Sequence, residues 1–156
     1  NPPHKDADKL TDPKKRLEMV RMAISSNDSF EASSIEIEKG STSYTVDTLA
    51  SLREVYRGAE QVKLYLIIGL DQLIELHTWK DPGKLFMLSE VVVINRPGYT
   101  VAEIHNDYSG QVIYVPVPSI DLSSTEIRHR VREGRSIRYM VPAGIEEYIK
   151  QNNLYK

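Results

Sequence analysis

Three hydroxyl side chains and an arginine lie together in one short segment of the sequence. Ser123, Ser124 and Thr125 follow a β-prone apolar run and open a pattern of helical spacing, and Arg128 comes one turn later. The first N–H groups of a helix are unpaired and lie at the positive end of its dipole, so this segment could bind a phosphate. The alternative is that Ser123 or Ser124 only caps the helix. The segment alone leaves both interpretations open.

Two other segments fall where ligands bind in an open α/β sheet, beyond the carboxyl ends of the strands. They are Gly69 to Asp71, after a predicted strand, and Asn95 to Tyr99, after the next one. Asp71 could accept a hydrogen bond from a ribose hydroxyl, or it could cap the following helix. Together with the segment from Ser119 to Arg128, these residues would form a crevice at one edge of the sheet.

The remaining candidates are single residues whose types suit a nucleotide. Trp79 is the only tryptophan and could stack on a flat ring, or it could pack on the rim of the fold. Thr45 lies at another helix start, where its hydroxyl is either a cap or a ligand donor. His4 and Lys5 form a positive pair that could meet a phosphate or be simply solvated.

The composition excludes several classes of protein. The 156 residues suffice for one domain with a core, and we expect a single domain over residues 1–156. The absence of cysteine excludes disulfides and thiolate metal sites, and a net charge of -2 gives no basic excess for nucleic acid. No apolar run approaches the length of a membrane span. We therefore expect a cytoplasmic enzyme or binding module with neither a nucleic-acid nor a membrane partner.

The usual nucleotide-binding and nucleophile motifs do not occur in the sequence. It contains no G-x-G-x-x-G, no G-x-x-x-x-G-K-[ST] and no G-x-S-x-G. Phosphate recognition without a side-chain nucleophile favours a reaction that positions two substrates. In such a reaction a metal ion and fixed positive charge stabilise a phosphoryl transition state.

Helical and β-prone segments alternate along the chain, which predicts an open parallel α/β sheet with helices on both faces. Two nearly continuous apolar runs, Val62 to Ile68 and Val91 to Ile94, are typical of strands buried on both faces. A half-exposed strand from Ala32 to Glu38 and a strand from Gln111 to Val117 are also predicted. The predicted helices begin at Asp12-Pro13, near Val46, after Asp71, at Asp81-Pro82, at the Ser-Ser-Thr segment and at Pro142.

Taken in order, several of these segments resemble the motifs of bacterial nicotinate-nucleotide adenylyltransferases. The segment from Leu122 to Arg128 resembles the I-S-S-T-x-I-R signature that related adenylyltransferases share, with Leu122 in place of Ile. The whole set is more specific than this signature and runs from residue 2 to the C-terminal Asn153-Leu154-Tyr155. The other segments are Pro2-Pro3-His4-Lys5, Leu17-Glu18-Met19, Ser43 to Thr48, Ile67 to Asp71 with Trp79 downstream, and Arg96 to Tyr99.

The resemblance implies a Rossmann-like fold and an activity that joins two nucleotides. The substrates would be ATP, with Mg2+, and nicotinate mononucleotide, and the products would be deamido-NAD and pyrophosphate. Carried onto this chain, the signature implies that Ser123, Ser124, Thr125 and Arg128 bind the ATP phosphates. This agrees with the anion site inferred from the residue types.

The resemblance also implies a site for the nicotinate nucleotide. Thr45 and the backbone near Trp79 would bind the nicotinate carboxylate, and the Trp79 ring would stack on the pyridine. Asp71 would take ribose hydroxyls or help to place the nucleotide. His4 and Lys5 would face a phosphate.

In one respect the sequence departs from the family pattern. The family begins with a strand, a glycine-rich turn and an H-x-G-H motif whose histidines contact the ATP phosphates, and none of these occurs here. We therefore expect the C-terminal three quarters of such an enzyme, with N-terminal strands missing, no catalytic residue of its own and poor activity alone. One alternative is an adenylyltransferase for nicotinamide mononucleotide, phosphopantetheine or a flavin. The other is a non-catalytic nucleotide-binding fragment, and a homo-oligomer is compatible with all of these.

Overall fold

The computed structural model describes residues 10–59, 62–94, 107–118 and 120–156 of the chain. These residues fall into two compact units. The helical unit consists of residues 10–42 with Leu122–Lys156, and the sheet unit consists of the described residues from Ser43 to Asp121. Each unit has its own hydrophobic core. The single domain expected over residues 1–156 stays a prediction.

The sheet unit contains a three-stranded parallel sheet in the order β1-β2-β3. Its strands are β1 (Tyr65–Gly69), β2 (Glu90–Ile94) and β3 (Ile113–Val115). Tyr65 pairs with Glu90 at the start of the first ladder, and Val92 pairs with Ile113 at the start of the second. Parallel neighbours need a crossover connection, and helices supply it between β1 and β2. The predicted parallel α/β architecture is confirmed.

One face of this sheet packs against helices of the same unit. These helices are α3 (Thr45–Val55), α4 (Leu70–Glu75) and α5 (Pro82–Leu88). Ile68, Val91 and Val93 lie on this face and are buried. They pack with the buried helical residues Val46, Leu49, Leu70, Leu73, Leu76 and Leu85. Each such buried side chain contributes roughly 1.5–3 kcal/mol, so this core holds the carboxyl ends of the strands in place.

The opposite face of the sheet is more exposed than the sequence predicts. Tyr65 and Ile67 in β1 are 55% and 64% exposed, and Ile113 and Val115 in β3 are 44% and 38% exposed. The ladder register places all four residues on one face. The prediction that the run from Val62 to Ile68 is buried on both faces is therefore wrong for β1.

The helical unit is built from four helices. They are α1 (Pro13–Ile24), α2 (Ile35–Glu38), α6 (Ser124–Arg132) and α7 (Ala143–Gln151). Its buried core consists of Ile137, Ile145, Ile149 and Leu154. The Tyr148 hydroxyl of α7 donates a hydrogen bond to the Glu18 carboxylate of α1, and this bond raises the pKa of Tyr148 to about 12. No helix in the described parts of the chain is long and apolar enough to cross a bilayer.

Several local predictions are corrected by the structure. The strand expected from Ala32 to Glu38 does not form, and Ile35–Glu38 is instead the short helix α2. The Glu38 N–H donates to the Ser34 carbonyl at 3.0 Å, as in a helical turn, and the Ser34 hydroxyl donates to the Glu38 carboxylate. The strand expected from Gln111 to Val117 is shortened to β3, since Ser109–Gln111 forms a 3-10 turn. The Asp81 side chain does not cap α5, and its carboxylate instead pairs with Lys84 Nζ at 2.9 Å.

Candidate functional site

A serine caps the start of α6, which was one of the two interpretations that the sequence allowed. Ser123 is the N-cap residue, and its hydroxyl oxygen accepts a hydrogen bond from the N–H of Glu126 at 3.1 Å. Ser124 and Thr125 form the first turn of this nine-residue helix and are exposed. Ser123 therefore caps α6, and its role toward a phosphate stays a prediction. The two hydroxyls that follow it stand at the positive end of the helix dipole.

Arg128 adds a positive charge to the same turn. Its guanidinium donates to the Thr125 hydroxyl oxygen at 3.2 Å, and it forms no ion pair with any described carboxylate. Two other arginines, Arg130 and Arg135, lie 3.5 and 3.7 Å from the Glu126 carboxylate. The one acidic side chain in the first turn is thus compensated by other groups. A charged guanidinium, two hydroxyls and a helix start can together bind a phosphate.

The start of α3 lies in the sheet unit and has a different construction. Thr45 is the first residue of this eleven-residue helix, and the N-cap residue Tyr44 makes no side-chain cap bond. Trp79 follows the 3-10 turn Leu76–Thr78, its N–H donates to the Leu76 carbonyl at 3.0 Å, and it packs half-buried against the core. A helix start without a side-chain cap suits a small carboxylate.

Lys80 connects these two segments, and the sequence analysis did not identify it as a site residue. Its Nζ lies 3.0 and 3.2 Å from the two Asp47 carboxylate oxygens and 4.6 Å from the centre of the Tyr44 ring. The hydrogen bond to Asp47 raises the pKa of Lys80. The two partners are 33 positions apart, so no local pattern pairs them. The structure thereby brings the residue after Trp79 to the turn that begins at Thr45.

Asp71 lies at the carboxyl end of β1, as predicted, but it does not cap α4. The cap residue is Gly69, and the Gln72 side-chain oxygen accepts from the Gly69 N–H at 3.0 Å. A Cβ placed on Gly69 would lie only 2.5 Å from Asp71 Oδ1, so glycine leaves the space that this carboxylate occupies. The cap alternative for Asp71 is wrong, and its role toward a ribose stays a prediction.

Other predicted site residues lie outside the described part of the chain. His4, Lys5, the segment from Asn95 to Tyr99, and Ser119 are among them. The α6 start belongs to the helical unit, whereas Thr45, Asp71 and Trp79 belong to the sheet unit. Within the described residues, no three side chains of histidine or acidic type group as a metal site. The Mg2+ expected with ATP stays a prediction.

Comparison with known proteins assigns the chain to a family. The family model described as cytidylyltransferase-like matches residues 1–130. A probable nicotinate-nucleotide adenylyltransferase of Thermoanaerobacter sp. is 40% identical over 163 aligned residues, which cover all of this chain and 76% of that relative. The chain belongs to the nicotinate-nucleotide adenylyltransferase family. Its resemblance to this family is confirmed, and the chain is an enzyme of the nucleotidyltransferase class.

Other members of the nicotinate-nucleotide adenylyltransferase family match the chain to a similar extent. A probable enzyme of this name from Desulfitobacterium hafniense is 39% identical and is covered to 77% of its length. One from Tropheryma whipplei is 39% identical over 99% of this chain and 79% of its own length. A solved Plasmodium falciparum nicotinic acid mononucleotide adenylyltransferase, complexed with NaAD, matches with a TM-score of 0.67 and 20% identity. This match covers 96% of the present chain and 78% of the solved one, and it shows the shared fold.

Proposed function

We propose that this chain transfers the adenylyl group of ATP to nicotinate mononucleotide and so forms deamido-NAD and pyrophosphate. The observation that carries the proposal is the match along essentially the whole chain to relatives named probable nicotinate-nucleotide adenylyltransferase, at 39–40% identity. The solved neighbour holds NaAD, which is the corresponding product. The cytoplasmic location expected from the sequence stays a prediction.

In the proposed reaction an oxygen of the nicotinate mononucleotide phosphate attacks the α-phosphorus of ATP. The new P–O bond forms as the bond from the α-phosphorus to the bridging oxygen breaks, and pyrophosphate leaves with that electron pair. Arg128 and the hydroxyls of Ser124 and Thr125 would bind the phosphates that become pyrophosphate. Negative charge grows on this leaving group, so fixed donors there stabilise the transition state. Mg2+ would accompany ATP and add further positive charge.

The nicotinate nucleotide would bind in the sheet unit. The hydroxyl of Thr45 and the first N–H groups of α3 would hold the pyridine carboxylate, since this helix start has no side-chain cap. The half-buried Trp79 would stack on the ring. Asp71 would accept from ribose hydroxyls, and His4 with Lys5 would face the phosphate.

A second candidate is that these 156 residues bind nucleotides but do not catalyse the reaction by themselves. They contain no H-x-G-H, the motif that the resemblance implies for transition-state contacts. Loss of such donors costs about 2.7–4 kcal/mol each, so we expect weak turnover from the 156-residue chain alone. Pyrophosphate release that requires both ATP and nicotinate mononucleotide, with deamido-NAD identified by mass spectrometry, supports the enzyme. ATP binding without any product supports the fragment.

The phosphate site is tested by an arginine substitution with a control in the same helix. We expect Arg128→Ala to weaken ATP binding about tenfold or more, because a charge-assisted contact is lost. Arg132→Ala removes the same charge from the exposed last turn of α6 and should change the affinity little. Isothermal titration with ATP measures both. Equal affinity of the Arg128→Ala variant and the unaltered chain would remove this site from the proposal.

A further inference from the structure

Lys80 holds together the two segments that carry the proposed nicotinate site. Its ammonium group forms an ion pair with Asp47, in the first turn of α3, and lies over the ring of Tyr44, the residue before α3. In the chain it directly follows Trp79. The Lys80 side chain therefore links the residue after Trp79 to the first turn of α3.

The C-terminal end of α3 is held by contacts that do not involve Lys80. The Arg53 side chain, in the last turn, donates to the Leu88 carbonyl at the end of α5 at 2.9 Å. Val46 and Leu49 bury the inner face of the helix in the core. Loss of the Lys80 contact should therefore loosen the N-terminal turn of α3 and leave the helix itself in place.

Asp47 would otherwise oppose the binding of an anion at this helix start. Its carboxylate is in the same turn as Thr45, so a ligand carboxylate there would meet a like charge. The Lys80 ammonium neutralises Asp47 at 3.0 Å. A neutral amide in the same position would be almost indifferent to this compensation.

We infer that Lys80 is a positioning residue that sets the preference of this site for a pyridine carboxylate over the corresponding neutral amide. It does so by compensating Asp47 and by fixing the segment of Trp79 against the start of α3. This inference rests on the proposed function, because it concerns the site that would bind nicotinate mononucleotide.

The test of this inference measures the fluorescence of Trp79. Because it is the only tryptophan, its fluorescence reports on this site in the full 156-residue chain. Titration with nicotinate mononucleotide and with nicotinamide mononucleotide gives the acid-to-amide affinity ratio. We expect Lys80→Met to lower this ratio about fivefold, mainly through weaker binding of the acid. Lys80→Arg keeps the charge and should keep most of the ratio.

Two further variants separate charge from structure. Asp47→Asn removes the opposing charge, so the variant carrying both Lys80→Met and Asp47→Asn should regain most of the acid preference. Lys150→Met is the matched control, because Lys150 forms a similar ion pair with Glu146, at 2.9 Å, within α7 of the helical unit. It should leave the ratio unchanged. Circular dichroism confirms that each variant is folded.

The outcomes distinguish this inference from the proposed function. An unaltered chain that prefers the acid, together with a Lys80→Met variant of the same ratio, overturns the inference alone. An equal loss in the Lys150→Met variant does so as well, since the effect would then belong to any surface lysine. An unaltered chain that binds neither nucleotide, or prefers the amide, overturns both the inference and the nicotinate assignment.

Discussion

Gly69 has no side chain and so leaves room for the carboxylate of Asp71. The Asp71 carboxylate oxygen occupies the space in which a Cβ at position 69 would lie, 2.5 Å away. The backbone of Gly69 is extended, with a φ of -78°, so other residues could adopt its conformation. The neighbouring carboxylate, and not the backbone angles, is therefore what a larger residue at position 69 would disturb.

We expect Gly69→Ala to displace the Asp71 carboxylate at little cost in stability. The new methyl group pushes aside a flexible side chain, while the lower entropy of the unfolded chain returns about 0.4–1 kcal/mol. Gly83→Ala is the control, because its Cβ meets nothing within 4 Å. The control should unfold at a slightly higher temperature with unchanged nucleotide affinity. If Gly69→Ala also leaves nicotinate mononucleotide affinity unchanged, Asp71 does not contact that nucleotide.

Helix α1 is an element whose start is set by a local signal. Asp12 caps it, and one carboxylate oxygen accepts from the N–H groups of Lys14 at 2.7 Å and Lys15 at 3.4 Å. Pro13 at the first helical position has no N–H to satisfy. The helix then packs against α7 in the helical unit, partly through Met19. The cap thus contributes to the stability of the packed pair.

Removal of this cap should lower stability by a predictable amount. We expect Asp12→Ala to decrease the free energy of unfolding by about 1 kcal/mol, because two N–H groups of the first turn lose their acceptor. Urea denaturation followed by circular dichroism measures this change. Asp28→Ala alters an exposed aspartate outside any helix and should have almost no effect. Equal midpoints for the two variants would contradict a stabilising cap.

Elements with such local signals could be predicted from the sequence, and others could not. The Asp-Pro start of α1 and the Pro142 start signal of α7 act within a few residues, and both helices begin within one residue of the predicted position. The alternation Ile35-Glu36-Ile37-Glu38 suits a strand equally well, yet it forms one helical turn. Lys80 and Asp47 meet only because α3 and the segment after α4 pack together. Periodicity carries no information about such a contact.

In the molecule as a whole, the exposure of one sheet face could not be predicted from the sequence. A continuous apolar run predicts that a strand is buried but does not say which elements cover each face. In the sheet unit the face with Ile68 is covered by helices, whereas the face with Tyr65 and Ile67 is largely accessible to solvent. The parallel architecture followed from the alternation of elements, and the burial of each face depended on tertiary packing.

An accessible apolar sheet face favours association of the chain at high concentration. We expect Ile67→Lys to keep the protein closer to its monomer mass of 17.8 kDa in sedimentation velocity over a range of concentrations. Ile67 is 64% exposed, so a lysine there costs little folding free energy and places charge on this face, in the middle of the edge strand β1. Val55→Lys is matched in size and charge, because Val55 is 67% exposed but lies at the end of α3, away from this face. Equal suppression of association by both variants would show that net charge is responsible. Association of the Ile67→Lys variant as strong as that of the unaltered chain would show that this face does not mediate it.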